Sequence, residues 1–342
     1  MQRKNELSFL NIIFCVLVIF IHVSSSPVTV LSKDSWQYGV VFVPWRLSSF
    51  VVQGFIFLSG LKMFLREDRG SYKSYCINKF TRIIFPYILA VILFYAYFLW
   101  RNYFAFSVKD LLGYIVKGDL IAHFYFVIAI VQFYILRPVW TLMVNKIPSK
   151  IAIPASVIIM FLCKYGFSSF AYNDRIFTTY LTYWVIGCYA GKHYEKVLFN
   201  IKKFKMAYIS GFVVVAIMEA VISYIQFVYG GMRFLEELHF IYSLSAIFAT
   251  SGLATLVADR VMNHKLFKKI DNASYYIYLI HPLFILMTDG LLAKYQIADI
   301  ATGFVIRCII TYTLSILISV TYMETKKKIK RNKICQSLKK QG

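Results

Sequence analysis

The sequence predicts an all-α polytopic membrane protein, and three observations carry that prediction. Hydrophobic residues fill 59% of the 342 positions, for a mean hydropathy of +0.62. Only 16% are charged. The apolar residues run in segments near the roughly 20 that a helix needs to cross the hydrocarbon core, a composition no soluble domain of this size shows. A formal charge of +22 would by itself raise nucleic acid as a partner. Here the basic residues fall between apolar spans and share no solvated face, which argues against that class.

Ten spans follow one another. The first, Leu7–Val23, carries Asn11 and His22 inside an apolar run. They lie eleven residues apart, close to three helical turns, so both leave one helix face, roughly 16 Å apart along the axis. A helix in lipid has no packing reason to carry an imidazole, because polar groups there are costly and face a bundle interior or a wet cavity. The second and third spans are Gly39–Gly60 and Ile83–Trp100, and the fourth is Leu120–Val144. The fifth and sixth, Ile151–Cys163 and Phe177–Gly191, carry the thinnest signal. Ile151–Cys163 is short enough that it must borrow residues on either side or lie partly buried in the bundle. Met206–Val228, Phe240–Ala258, Ser274–Leu292 and Ile297–Met323 complete the set.

Lys and Arg accumulate in short cytoplasmic loops, which tests this count. With the N-terminus inside, 27 of the 38 basic residues fall on the cytoplasmic side, eight fall outside, and Arg46, Arg137 and Arg307 lie within spans. Both termini are therefore expected in the cytoplasm. Residues 1–325 read as a membrane domain and 326–342 as a basic cytoplasmic tail, solvated or bound to lipid headgroups. The first span is expected to stay uncleaved, because no small-residue cleavage site follows it. No loop is long enough for an extramembrane domain.

At about 1.5 Å per residue the intramembrane polar residues sort into two layers. His22, Glu219, Arg46 and Arg307 fall in the outer half. Arg137, His281 and Asn11 fall in the inner half, above a loop rich in Lys and Arg. Plainer readings stand beside each. Glu219 neutralises Arg46 or Arg307 in a structural pair, since a carboxylate in lipid needs a cation. His281 takes a carbonyl left free by the kink at Pro282. The basic run from Lys62 to Arg82 is topology signal.

Six cysteines, Cys15, Cys76, Cys163, Cys188, Cys308 and Cys335, show neither metal-ligand spacing nor a disulfide framework and read as small apolar residues. No metal site is expected. The glycine-rich phosphate loop, the GxSxG elbow and HExxH are all missing from the chain.

Four blocks in order resemble acyltransferase family 3, the ten-helix membrane acyltransferases of bacterial surface polysaccharides. They are ELSFLNIIFCVLVIFIHV, with its terminal His; VVQGFIFLSGLKMF followed by SYCINKFTRIIFPY, with a basic pair three apart; AHFYFVIAIVQFYILRPV; and SYYIYLIHP. The resemblance implies that His22 is the essential His and that Lys79 and Arg82 are the basic pair associated with the acyl donor. Two positions depart from the family pattern. Asn11 stands where Arg is common, and Lys79 stands where the pair usually opens with Arg, which keeps the charge without the bidentate fork.

What the resemblance implies joins the two layers. Acetyl-CoA, the expected donor, carries several phosphate charges and would dock at an inner cationic mouth of Lys79, Arg82 and Arg137, with His281 in the same layer. The acceptor would be a hydroxyl of a glycan or lipid-linked saccharide, approaching from outside a bacterial inner membrane. His22 would serve as base or carry the acyl group itself. Glu219 would orient its imidazole, and Arg46 or Arg307 would stabilise the oxyanion. The rival is a polysaccharide exporter or flippase, which uses an outer cationic pocket without a thioester. A glycan polymerase would need a large external loop, and a scaffold leaves His22 unexplained.

Overall fold

The computed structural model describes residues 4–65 and 70–339. Arg3, Arg66, Arg69 and Lys340, counted above among the cytoplasmic charges, lie outside the described residues. Helices and turns make up the described chain, with no strand. Eight helices are long and apolar enough to span a membrane; a bent pair, Val108–Lys117 with Ala122–Ile135, makes a ninth if its 55° break is counted within one span. The chain is thus an all-α polytopic membrane protein. It divides into two compact units, one built from residues up to Val51 together with those from Phe204 onward, the other from Val52–Lys203.

In the first unit the central element is α1 (Asn5–Val30), packed by α2 (Trp36–Ser48), α12 (Leu235–Met262), α13 (Lys265–Lys294) and α14 (Ile300–Lys339). Twelve of its residues are buried, among them Phe14, Ile19 and Val23. Such a helix, apolar on every side, belongs inside a bundle. The long α11 (Tyr194–Val228) begins in the other unit and contributes its residues from Phe204 here.

The second unit holds most of α3 (Val51–Leu65), then α4 (Tyr72–Lys79), a π-helical turn at Phe80–Ile84 and α5 (Phe85–Trp100). There follow α6 (Val108–Lys117), α7 (Tyr125–Ile135), α8 (Arg137–Lys146), α9 (Ser149–Gly166) and α10 (Leu181–Lys192). Two expected spans differ here. The fourth, Leu120–Val144, opens with a 3-10 turn at Ala122–Phe124 and is cut at Leu136 between α7 and α8. Pro138, second in α8, has no N–H to offer the Tyr134 carbonyl four residues back, and the Trp140 indole nitrogen donates to the adjacent Phe133 carbonyl at 2.8 Å.

The sixth, Phe177–Gly191, is a 3-10 turn at Phe177–Tyr180 followed by a helix of 12 residues, about 18 Å long and buried at ten of them. Its glycines explain the burial. A Cβ at Gly187 would stand 2.2 Å from the Phe57 carbonyl oxygen, and one at Gly191 2.3 Å from that of Leu61. Two glycines four apart let α10 and α3 approach backbone to backbone, the small-residue packing of membrane helices. The cysteines at positions 15, 76, 163, 188 and 308 are free.

Candidate functional site

His22 lies 17 residues into α1 and His281 16 residues into α13, so on parallel helices both stand about 25 Å from the helix starts. Their rings are 5.1 Å apart between centroids, tilted by 46°. His281 is fully buried and His22 half-buried. The two imidazoles thus stand at one height of the bundle, where the span count had set His281 about a layer below His22. That depth was counted from Ser274, where hydropathy rises, whereas α13 starts nine residues earlier at Lys265 under a polar first stretch.

The reading of His281 against its proline holds. Pro282 has no N–H for the Tyr278 carbonyl four residues back, and the His281 Nδ1–H donates to that carbonyl at 2.8 Å and more weakly to Ile277 at 3.3 Å. The same two helices meet lower down. There Asn11 Nδ2 donates to Asp271 Oδ1 and to Ser274 Oγ, both at 2.7 Å. Asn11 and His22 thus form two rungs of one polar seam between α1 and α13.

The other outer-layer residues assemble in two separate pairs. Glu219 on α11 has no exposed surface and meets the Arg46 guanidinium of α2 at 2.8 Å. The same carboxylate oxygen takes His239 Nδ1 of α12, also at 2.8 Å, and Arg46 Nε donates to Ser223 at 2.9 Å. Arg307 on α14 is paired instead with Asp289 on α13. The structure thus gives His22 an imidazole neighbour, while Glu219 serves Arg46 and His239. His239 escaped sequence reasoning because it precedes the apolar edge at Phe240, although α12 opens at Leu235. Asp289 left a signal that could have been read: it and Arg307 stand at similar distances on either side of the turn between α13 and α14.

In the second unit Lys79 and Arg82 line one cavity of about 510 Å³, with Lys62, Ser59, Ser74 and Asn78. Lys79 closes α4 and Arg82 lies in the π turn, where i→i+5 bonding takes in an extra residue. The Lys79 ammonium sits 3.5 Å above the Tyr134 ring and 5.5 Å from that of Tyr75. Arg137 lies over the same Tyr75 ring, 4.3 Å away, and lines a neighbouring groove of about 440 Å³ with Lys146. Lys, Arg, hydroxyl and amide groups around one opening make a donor set suited to phosphate oxygens.

Comparison with known proteins agrees with this architecture. Residues 5–322 match the model of acyltransferase family 3, described as an acyltransferase domain. A probable poly-beta-1,6-N-acetyl-D-glucosamine export protein of Staphylococcus aureus (strain MSSA476) is 25% identical over 338 residues, 92% of this chain and 91% of the relative. A protein of the same name from Staphylococcus epidermidis is 23% identical over 324 residues, 87% of this chain and 85% of that one. No solved structure matches. With the family model covering nearly the whole chain, this multi-pass membrane protein belongs to acyltransferase family 3.

Proposed function

We propose that this chain is a membrane O-acyltransferase that moves an acyl group, in the first instance acetyl, from cytoplasmic acyl-CoA to a hydroxyl of a cell-surface glycan or its lipid-linked precursor. The observation that carries the reading is the cavity of about 510 Å³ bearing Lys62, Lys79 and Arg82, because a glycan hydroxyl gives no reason for three cations at one opening and a CoA polyphosphate does. Both termini would face the cytoplasm of a bacterial inner membrane. The acceptor hydroxyl is a weak nucleophile at neutral pH, so it needs a base, and imidazole is the side chain matched to that task. His22 either takes the hydroxyl proton or carries the acyl group. In both cases the acyl carbon–sulfur bond breaks, a carbon–oxygen bond forms, and the proton leaves with the CoA thiolate.

A second reading is favoured by one finding, the names of the relatives, which are probable export proteins for an N-acetylglucosamine polymer. An exporter would translocate glycan without consuming a thioester. Purified protein in lipid nanodiscs, given radiolabelled acetyl-CoA and an oligosaccharide acceptor, separates the two. The expected result is CoA release with label on the glycan, abolished in His22→Ala. Glycan movement in proteoliposomes with no loss of acetyl-CoA would establish the exporter instead.

A further inference from the structure

We infer that an anionic phospholipid of the surrounding bilayer seats one acyl chain in the apolar groove between α4, the π turn and α7, with its phosphate on Lys79. The groove, of about 330 Å³, is lined by Ile77, Phe80 and Ile84 from the first two elements and by Val131 and Ile135 of α7. Positions 77, 80 and 84, three and four apart, fall along one helix face. The volume lies at the lower end of the roughly 300–1,000 Å³ of ligand sites, room for a stretch of one chain and not for a headgroup. Ile77, Phe80 and Ile135 are exposed although large and apolar. Residues 72–100 form one candidate span and α7 belongs to the bent pair, so in a membrane these side chains meet lipid tails, which are as apolar as they are.

Lys79 is the one charged residue among those that line the groove, and it also lines the cationic cavity with Lys62 and Arg82. Tyr75, Ile83 and Tyr134 are likewise common to both. Apolar slot and cationic opening therefore share a wall. A ligand that fills both must carry its negative charge directly beside its hydrocarbon. A phospholipid does, because a three-carbon glycerol joins phosphate to chains. Acyl-CoA does not, because the whole pantetheine arm separates its phosphates from the acyl carbon. A zwitterionic lipid would bring an ammonium to an opening that already holds three cations. Basic pockets at the cytoplasmic ends of membrane helices suit anionic headgroups, whose leaflet attracts Lys and Arg.

The inference is independent of the acyl-transfer reading and divides the cations of the opening between two ligands. Lys79 answers to the groove, whereas Arg82 and Lys62 line the cavity alone and stay with the donor phosphates.

Photolabelling of the unmodified chain tests this. Protein in phosphatidylcholine nanodiscs, doped with phosphatidylglycerol that carries a diazirine in one chain, is irradiated and its labelled residues are mapped by mass spectrometry. Label should concentrate on Ile77, Phe80, Ile84 and Ile135, and unlabelled phosphatidylglycerol should remove it where phosphatidylcholine of the same chains does not. Lys79→Gln should lower the labelling about fivefold, the worth of one cation beside an anionic lipid, and Lys79→Arg should keep it. Equal labelling by diazirine lipids with zwitterionic and anionic heads, or label spread evenly over the lipid-facing surface, overturns the inference. Displacement by palmitoyl-CoA but not by phosphatidylglycerol also overturns it and gives the groove to the donor's chain. Selective label in discs that consume no acetyl-CoA would leave the lipid site standing and end the acyltransferase reading. Acyl transfer without selective label would do the reverse.

Discussion

Asn11 on the first helix and Asp271 on the thirteenth share a hydrogen bond of 2.7 Å, so the position where relatives of this family commonly carry Arg already faces a carboxylate. An arginine introduced there meets a ready partner. Asn11→Arg should fold at the wild-type yield, with unchanged acetyl-CoA affinity because the new charge is matched within the seam. Asn11→Leu should lose about 1–3 kcal/mol, since it strips a donor from two partly buried acceptors. Thermal unfolding of the two variants in one detergent decides it. A poorly folding Asn11→Arg beside a stable Asn11→Leu would be the wrong order.

The Arg46–Glu219 pair gives the second expectation. Glu219→Leu leaves a guanidinium in the bundle without its counter-charge, a change that costs about 3–5 kcal/mol for buried pairs. Replacing both partners, Arg46→Met with Glu219→Leu, should recover most of that loss. Fluorescence-detected size exclusion after a heat step provides the measurement. A double variant as unstable as the single one would mean that His239 and Ser223, not the ion pair, organise the site.

Close packing of α10 against α3 gives the third. Gly187→Ala places a methyl 2.2 Å from the Phe57 carbonyl oxygen. Backbone cannot rotate away as a side chain would, so a loss of at least about 1–3 kcal/mol is expected. Gly211→Ala on α11 is the control, because nothing lies within 4 Å of a Cβ there. It should be neutral, or stabilising by up to about 1 kcal/mol from helix propensity alone.

Donor binding gives the fourth. Arg82→Ala should weaken acetyl-CoA affinity more than Lys79→Ala, because guanidinium grips phosphate with two parallel bonds while the Lys79 ammonium already sits over Tyr134. Lys109→Ala, an exposed cation of the same unit outside that cavity, should leave affinity as it was. Isothermal titration of all three reads the order. Equal losses would reduce the basic stretch to a topology signal.

Much of this molecule was legible in its sequence, and the failures share a cause. Hydropathy marks where a helix is apolar, not where it begins. The runs at α1 and α11 were placed well for that reason, while His281 was set about a layer too low and His239 was left outside its helix. The fourth span reads as continuous because Arg137 and Pro138 sit inside an apolar average, and hydropathy does not register the break between α7 and α8 at Leu136. Phe177–Gly191 looks like a span because burial among protein and burial in lipid select the same residues. The pairing of Lys79 with Arg82 was visible through the family resemblance. That of His22 with His281 was not, because no spacing within one helix reports a neighbour 259 residues away.

The π turn at Phe80–Ile84 holds one residue more than an α-helical turn would. Deleting a single residue from it, Thr81 for example, would let α4 and α5 fuse into one regular helix with the hydropathy of the span nearly unaltered. Everything upstream would then rotate by about 100° about the axis, carrying Lys79 off the cavity it shares with Arg82. A one-residue change in length at this point is thus a rotary adjustment of the cationic opening. Relatives that differ there by a residue would be read as equivalent by any comparison of apolar content, and yet would present a different set of charges at that opening.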